Sequence, residues 1–208
     1  MATIRWLFVF FLLGMIMSSA SSIVATNKFD IIIRNGEVYD GSGGQPFSGD
    51  IGIIADTIAA IGDLSENSAR VEIDAEGKAV APGFINMLSW ADQSLVKNGT
   101  SMSDLKQGVT LEVFGEGWSP GPVRRNTTGK ADSLWTTLNG YFKYLLKKGI
   151  SCNVASFVGA TSVRIYVMDY TARKPTNDEL TKMRQLVREA MEEGAMGLGT
   201  SLIYTPAS

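Results

Sequence analysis

The sequence predicts an α/β chain, with short antiparallel strands first and then alternating strands and helices that build a parallel sheet. Three observations predict it. Residues 29 to about 80 carry β-branched runs separated by turn residues. From residue 82 the rhythm becomes strand, loop, helix. Two later segments set apolar residues at helical spacing, and the second opens with a capping box, Thr176-x-x-Glu179.

The elements follow in order. Phe29 to Arg34 is a β-branched strand, and Asn35-Gly36 is a hairpin signal that makes Glu37 to Asp40 the returning strand. After the turn-rich Gly41 to Pro46, Asp50 to Ala55 and Thr57 to Ile61 form a second pair around Asp56. Val71 to Asp74 alternates with period two, and Ala75 to Lys78 turns into Ala79 to Ala81. Such a small sheet is marginal alone and needs a partner layer. Gly83 to Leu88, Val109 to Phe114, Ser151 to Val158 and Ala195 to Leu198 are the later strands, with a helical turn over Ser101 to Lys106. Asp132 or Ser133 caps a helix carrying Leu134, Trp135, Leu138, Tyr141, Phe142 and Leu145 on one face. The helix behind Thr176 carries Leu180, Met183, Leu186, Val187, Ala190 and Met191, and Gly194 ends it. Strands alternating with helices imply parallel pairing through helical crossovers.

Composition removes several functions. The chain has 208 residues, no histidine, one cysteine and a formal net charge of −2. There is no global basic field for nucleic acid, and no phosphate-binding loop, paired-cysteine or DNA-reading motif. A single cysteine makes no internal disulfide, and Cys152 in the apolar stretch Ile150 to Val158 reads as a buried, inert thiol. Without histidine, neither a Ser-His-Asp triad nor a histidine zinc site can be assembled from this chain. Arg124 and Arg125 beside Gly121-Pro122 read as a solvated charged loop.

The first 22 residues read as a secretory signal peptide. Arg5 precedes an apolar run from Trp6 to Met17, and small residues from Ser18 to Ser22 follow. The run is about 12 residues, short for a hydrocarbon core ~30 Å thick, so no stable membrane span is expected after cleavage. The mature chain is then secreted or periplasmic. Asn98-Gly99-Thr100 and Asn126-Thr127-Thr128 are glycosylation sequons and matter only in a eukaryotic secretory route.

Several segments together carry a family resemblance. They are Phe29 to Gly36 with Asp40-Gly41, Asp56 to Gly62, Ala81-Pro82-Gly83-Phe84-Ile85, Gln107 to Thr110, Asn153 to Gly159, and Gly194 to Ala207. In that order they resemble the amidohydrolase superfamily, and within it the D-aminoacylase (N-acyl-D-amino-acid deacylase) branch. The resemblance implies a β-sandwich whose first strands are residues 27–80. A (β/α)8 TIM-type barrel begins at residue 81. A full barrel takes ~250 residues. Residues 81–208 hold about four βα units, so the expectation is the first half of a barrel, truncated near residue 208, whose open edge favours self-association.

The resemblance also implies a metal-dependent hydrolase of linear amide C–N bonds. Its zinc activates water against a small N-acylated amino acid or related amide. Here the departures are large. The family's first barrel strand ends in Asp-x-His-x-His, but Leu88 and Trp90 stand at the two histidine positions. The family's metal-binding cysteine follows the second strand in a Gly-Asn-Cys-Gly run. This chain has Gly115-Glu116-Gly117 there, which makes Glu116 the candidate metal ligand; Asp92 reads as a loop carboxylate. Ala160 follows Val158-Gly159 where many relatives have histidine. Tyr204 matches a substrate-contacting tyrosine, and Ile203 a position lining the side-chain pocket. No residue takes the family's general-base role. The expectation is an exported amidohydrolase whose 208-residue chain is inactive and does not hold zinc in the usual way. The alternative is a non-catalytic exported binding or scaffold protein that lost the metal site, with Trp90 as an apolar ligand wall.

Overall fold

The computed structural model describes residues 29–124 and 134–202. The leader, Arg125, the second sequon, Asp132, Ser133, Ile203 and Tyr204 lie outside the described residues. The chain divides into two compact units between Pro82 and Gly83. Among the described residues, no helix is long and apolar enough to cross a membrane.

The first unit is one mixed sheet. Strands β1 (Phe29–Val38), β2 (Phe47–Ile54), β3 (Thr57–Gly62) and β4 (Ala69–Asp74) lie in the order β3-β2-β1-β4. Strand β5 (Ala79–Val80) also pairs with β1. The β2–β3 pair around Ala55-Asp56 is antiparallel, as the sequence predicts. Two expectations fail. Asn35-Gly36 is not a hairpin; β1 runs straight through it, with a register shift against β2 between Ile33 and Gly36. A type I′ turn needs positive φ at both central residues. Only Asn35 has it, at 55°. The dipeptide is therefore a bulge, held by Asn35 N donating to Asp50 Oδ1 at 3.0 Å and Asn35 Nδ2 donating to Asp74 Oδ1 at 3.0 Å. The sheet is also not purely antiparallel, because β4 and β5 both run parallel to β1.

Arg34 staples this sheet. Its guanidinium donates to both carboxylate oxygens of Glu72 at 2.9 Å, to the Leu64 carbonyl at 2.9 Å and to the Asn67 carbonyl at 2.8 Å. The fork thus ties β1 to β4 and to the connection before it. Phe29, Ile32 and Leu64 form the buried core beneath. Gly52 is required there, since a Cβ would sit 2.6 Å from the Phe29 ring.

The second unit alternates strands and helices. It comprises β6 (Phe84–Asn86), α1 (Asp92–Lys97), α2 (Met102–Leu105), β7 (Val109–Phe114), α3 (Leu138–Lys148) and β8 (Asn153–Ser156). Then come β9 (Val158–Gly159), α4 (Ala160–Met168), α5 (Asn177–Glu192) and β10 (Leu198–Gly199). Strands β6, β7 and β8 pair in parallel in that order, and β9 pairs in parallel with β10. The predicted strand 151–158 is thus split. Phe157 N donates to the Phe114 carbonyl at 2.9 Å, and Val158 N donates to the Gly197 carbonyl at 2.9 Å, so its hydrogen bonds pass from one neighbour to the other at Phe157.

Helix α3 starts later than expected. Thr137 is its cap and accepts from Gly140 N, so Leu134 and Trp135 precede the helix. Trp135 instead packs edge-on against Tyr141, centroids 4.9 Å apart. The capping box at Thr176 is complete and opens α5. Helix α4 is absent from the sequence expectations. Its Val163, Ile165 and Val167 are β-branched, and burial of Val163 and Met168 overrides that local preference.

A candidate site at the ends of the parallel strands

The loops that leave the C-terminal ends of β6 and β7 are fixed by hydrogen bonds. After β6, Ser89 N donates to the Val113 carbonyl at 2.9 Å, and Ser89 Oγ accepts from Ala91 N at 3.2 Å. Ser89 Oγ also donates to Glu112 Oε2 at 2.8 Å. After β7, Ser119 Oγ accepts from Gly159 N at 2.9 Å, and Ser162 Oγ accepts from Ser119 N at 2.8 Å. Gly115, with φ of 101°, lets this loop cross the neighbouring strand, because a Cβ there would lie 2.3 Å from the Phe157 carbonyl oxygen.

Glu112 is the residue that sequence reasoning missed. It is fully buried in β7 and accepts from Ser89 Oγ, Ser101 Oγ and Cys152 Sγ, the last at 3.2 Å. Three donors from distant segments satisfy one buried carboxyl group, as buried polar groups must be hydrogen-bonded. The available signal was a glutamate inside the apolar strand Val109–Phe114, two positions from Phe114 and so on the same face. Burial, with the Glu112 hydrogen bond second, pushes the Cys152 thiol up to about 11. Cys152 is only 6% exposed, which agrees with the inert thiol expected.

The loops enclose a cavity of about 370 Å³. Trp90, Asp92, Glu116, Trp118 and Trp135 line it. The structure therefore brings Glu116, Asp92 and Trp90 together. Leu88 is half exposed and is not among the lining residues. Ala160 opens α4. Tyr141 OH donates to the Asp92 carbonyl at 2.8 Å and fixes the start of α1 from beneath, while burial and then Asp92 hold the phenol above its ordinary range. Trp135 Nε1 donates to the Pro120 carbonyl at 2.6 Å, which sets that indole as a fixed wall.

A zinc ion of the kind that the resemblance implies does not fit this donor set. Leu88 and Trp90 offer no lone pair for a metal. Asp92 and Glu116 supply two carboxylates, short of the three protein ligands that catalytic zinc sites take. Among the described residues, no three His, Cys, Asp or Glu side chains are grouped to hold a metal.

No family model matches the chain. It is 34% identical over 192 residues to D-aminoacylase of Alcaligenes xylosoxydans xylosoxydans, covering 88% of this chain and 40% of that protein. It is 36% identical over 187 residues to N-acyl-D-glutamate deacylase of the same organism, covering 86% of this chain and 38% of that protein. The crystal structure of N-acyl-D-glutamate deacylase from Bordetella bronchiseptica, complexed with zinc and a phosphonate inhibitor, superposes with a TM-score of 0.78 at 33% identity. That superposition covers 86% of this chain and 40% of the deacylase. The chain thus spans about 40% of the length of the relatives that it matches.

Proposed function

With the chain established as a homologue of the D-aminoacylase amidohydrolases, we propose that its protein hydrolyses linear amide bonds of small N-acylated amino acids or related amides. The observation that carries this is similarity at 34% identity along 88% of the chain. The strands β6, β7, β8 with β9, and β10 are read as the opening staves of a (β/α)8 barrel. The loops around Glu116 then lie at the face where barrel enzymes act. In this chain the side chains at that mouth bind and orient a substrate. Trp90 and Trp118 offer apolar surface, and Asp92 and Glu116 set the charge. None is assigned as a general base. The 208-residue chain alone is proposed to be without turnover, since its donor set does not fit the family metal.

The leader makes the protein secreted or periplasmic, and N-terminal sequencing of the mature protein is expected to begin near residue 21 or 23. The open ends of the parallel sheet favour self-association, read by sedimentation as mass rising with concentration.

The test is amine release from N-acetyl-D-amino acids, by the protein purified from its source and by the 208-residue chain. The first is expected to release amine and the second none. No release by the source protein from any N-acylated amino acid contradicts the amidase reading. Zinc-dependent turnover by a clean 208-residue preparation contradicts the inactive-chain reading. A second reading, a non-catalytic binding protein, is favoured by the Trp90 indole at a position where the resemblance expects a metal ligand. It predicts ligand binding with no amine release at any chain length.

A further inference from the structure

The cavity beside Glu116 has a composition that selects its ligand. Three of the four tryptophans in the chain line it, together with two carboxylates. Among the described residues, no lysine or arginine lines it. The nearest described arginine in sequence, Arg124, pairs with Asp169 at 3.3 Å. Among the described residues, Trp90 and Trp118 are 58% and 40% exposed, so both rings present surface to the cavity. Trp135 is pinned through Nε1 to Pro120 and through its ring to Tyr141.

Indole faces carry negative quadrupole charge, and carboxylates carry full negative charge. Both attract a cation. Two carboxylates fall short of the three protein ligands that a catalytic zinc takes, and the carboxylate end of a substrate is kept away from Asp92 and Glu116 by repulsion. A weakly hydrated organic cation, large enough to touch two aromatic walls, meets neither objection. We propose that this cavity binds an alkylammonium group, with Trp90 and Trp118 as its aromatic walls and Asp92 and Glu116 as its counter-charges. The proposal deepens the deacylase reading by giving the amide substrate a cationic end, but binding itself does not depend on turnover.

The test compares choline with 3,3-dimethylbutan-1-ol, its neutral isostere, by ligand-observed NMR titration of the 208-residue chain. Choline is expected to bind saturably and about fivefold or more tightly than the alcohol. Trp90→Leu and Glu116→Gln, both at exposed positions, are expected to remove most of that preference while leaving the urea midpoint unchanged. Equal binding of the two probes overturns the proposal. So does choline binding that both variants leave intact, or the absence of saturable choline binding. Amine release from neutral substrates without choline binding rejects the cation pocket and leaves the deacylase reading standing. Choline binding by a protein that cleaves no N-acyl amino acid supports the pocket and rejects the deacylase reading.

Discussion

Ser89→Ala tests the loop that carries Trp90 by deleting one oxygen atom. Ser89 Oγ donates to the buried Glu112 carboxylate at 2.8 Å and accepts from Ala91 N at 3.2 Å. A hydrogen bond to a charged group contributes about 1.5–3 kcal/mol, and a neutral one about 0.5–1.5 kcal/mol. The Ala91 bond is long, so the lower figure applies to it, and the expected loss is about 2–3.5 kcal/mol. The void left by one oxygen adds little. With a urea slope of about 2 kcal/mol per molar, the middle of the usual range, the midpoint falls by roughly 1–2 M. The assay is urea unfolding followed by tryptophan fluorescence. Ser89→Ala in a Glu112→Gln background supplies the cycle, in which the second loss shrinks because the charged acceptor is gone. A midpoint within about 0.2 M of the parent refutes the claim that Glu112 anchors this loop. So does full additivity of the two substitutions.

Thr176→Ala removes the side chain that accepts from Glu179 N and is expected to cost about 1 kcal/mol, read as a lower urea midpoint. Glu179 is held down to about 2 from 4.5, first by Arg173 and then by the Thr176 backbone N–H. A depressed carboxyl stabilises the fold above its unfolded value, so this contribution is present above about pH 4.5 and fades as pH falls toward 2. Glu179→Gln is expected to flatten the pH dependence of thermal unfolding in that window, and an unchanged profile contradicts the assignment. The Cys152 thiol, raised from 9.0 to about 11, has the opposite sign. Its stabilising contribution is full below pH 9 and is lost as pH rises through 11. At pH 8 iodoacetamide is expected to label it rapidly in urea and very slowly in the folded chain; equal rates contradict its burial.

What was legible in the sequence was mostly local. The capping box at Thr176 and the β2–β3 hairpin around Asp56 depend on neighbours a few residues away, and both form. Asn35-Gly36 is equally local in appearance, yet its partners Asp50 and Asp74 come from other strands and convert a turn signal into a bulge. Helix α4 is decided by packing of Val163 against the cluster around Leu138 and Val158, which no short window contains. At the candidate site, Trp90 and Glu116 were singled out by residue identity, and both line the cavity. The Glu112 cluster was not legible, because Ser89, Ser101 and Cys152 reach it only once parallel strands pair. Likewise the cavity joins Trp90 to Trp118 and Trp135 through loops that sequence reading treats separately.

The central proposal is that this chain, which superposes on 40% of the deacylase from Bordetella bronchiseptica, does not hold the family metal at its strand-end loops. Equilibrium dialysis of the purified 208-residue chain against micromolar zinc tests it most directly. The account predicts no stoichiometric zinc retained and no change when Glu116 is replaced by Gln. One zinc retained per chain and lost in Glu116→Gln contradicts it.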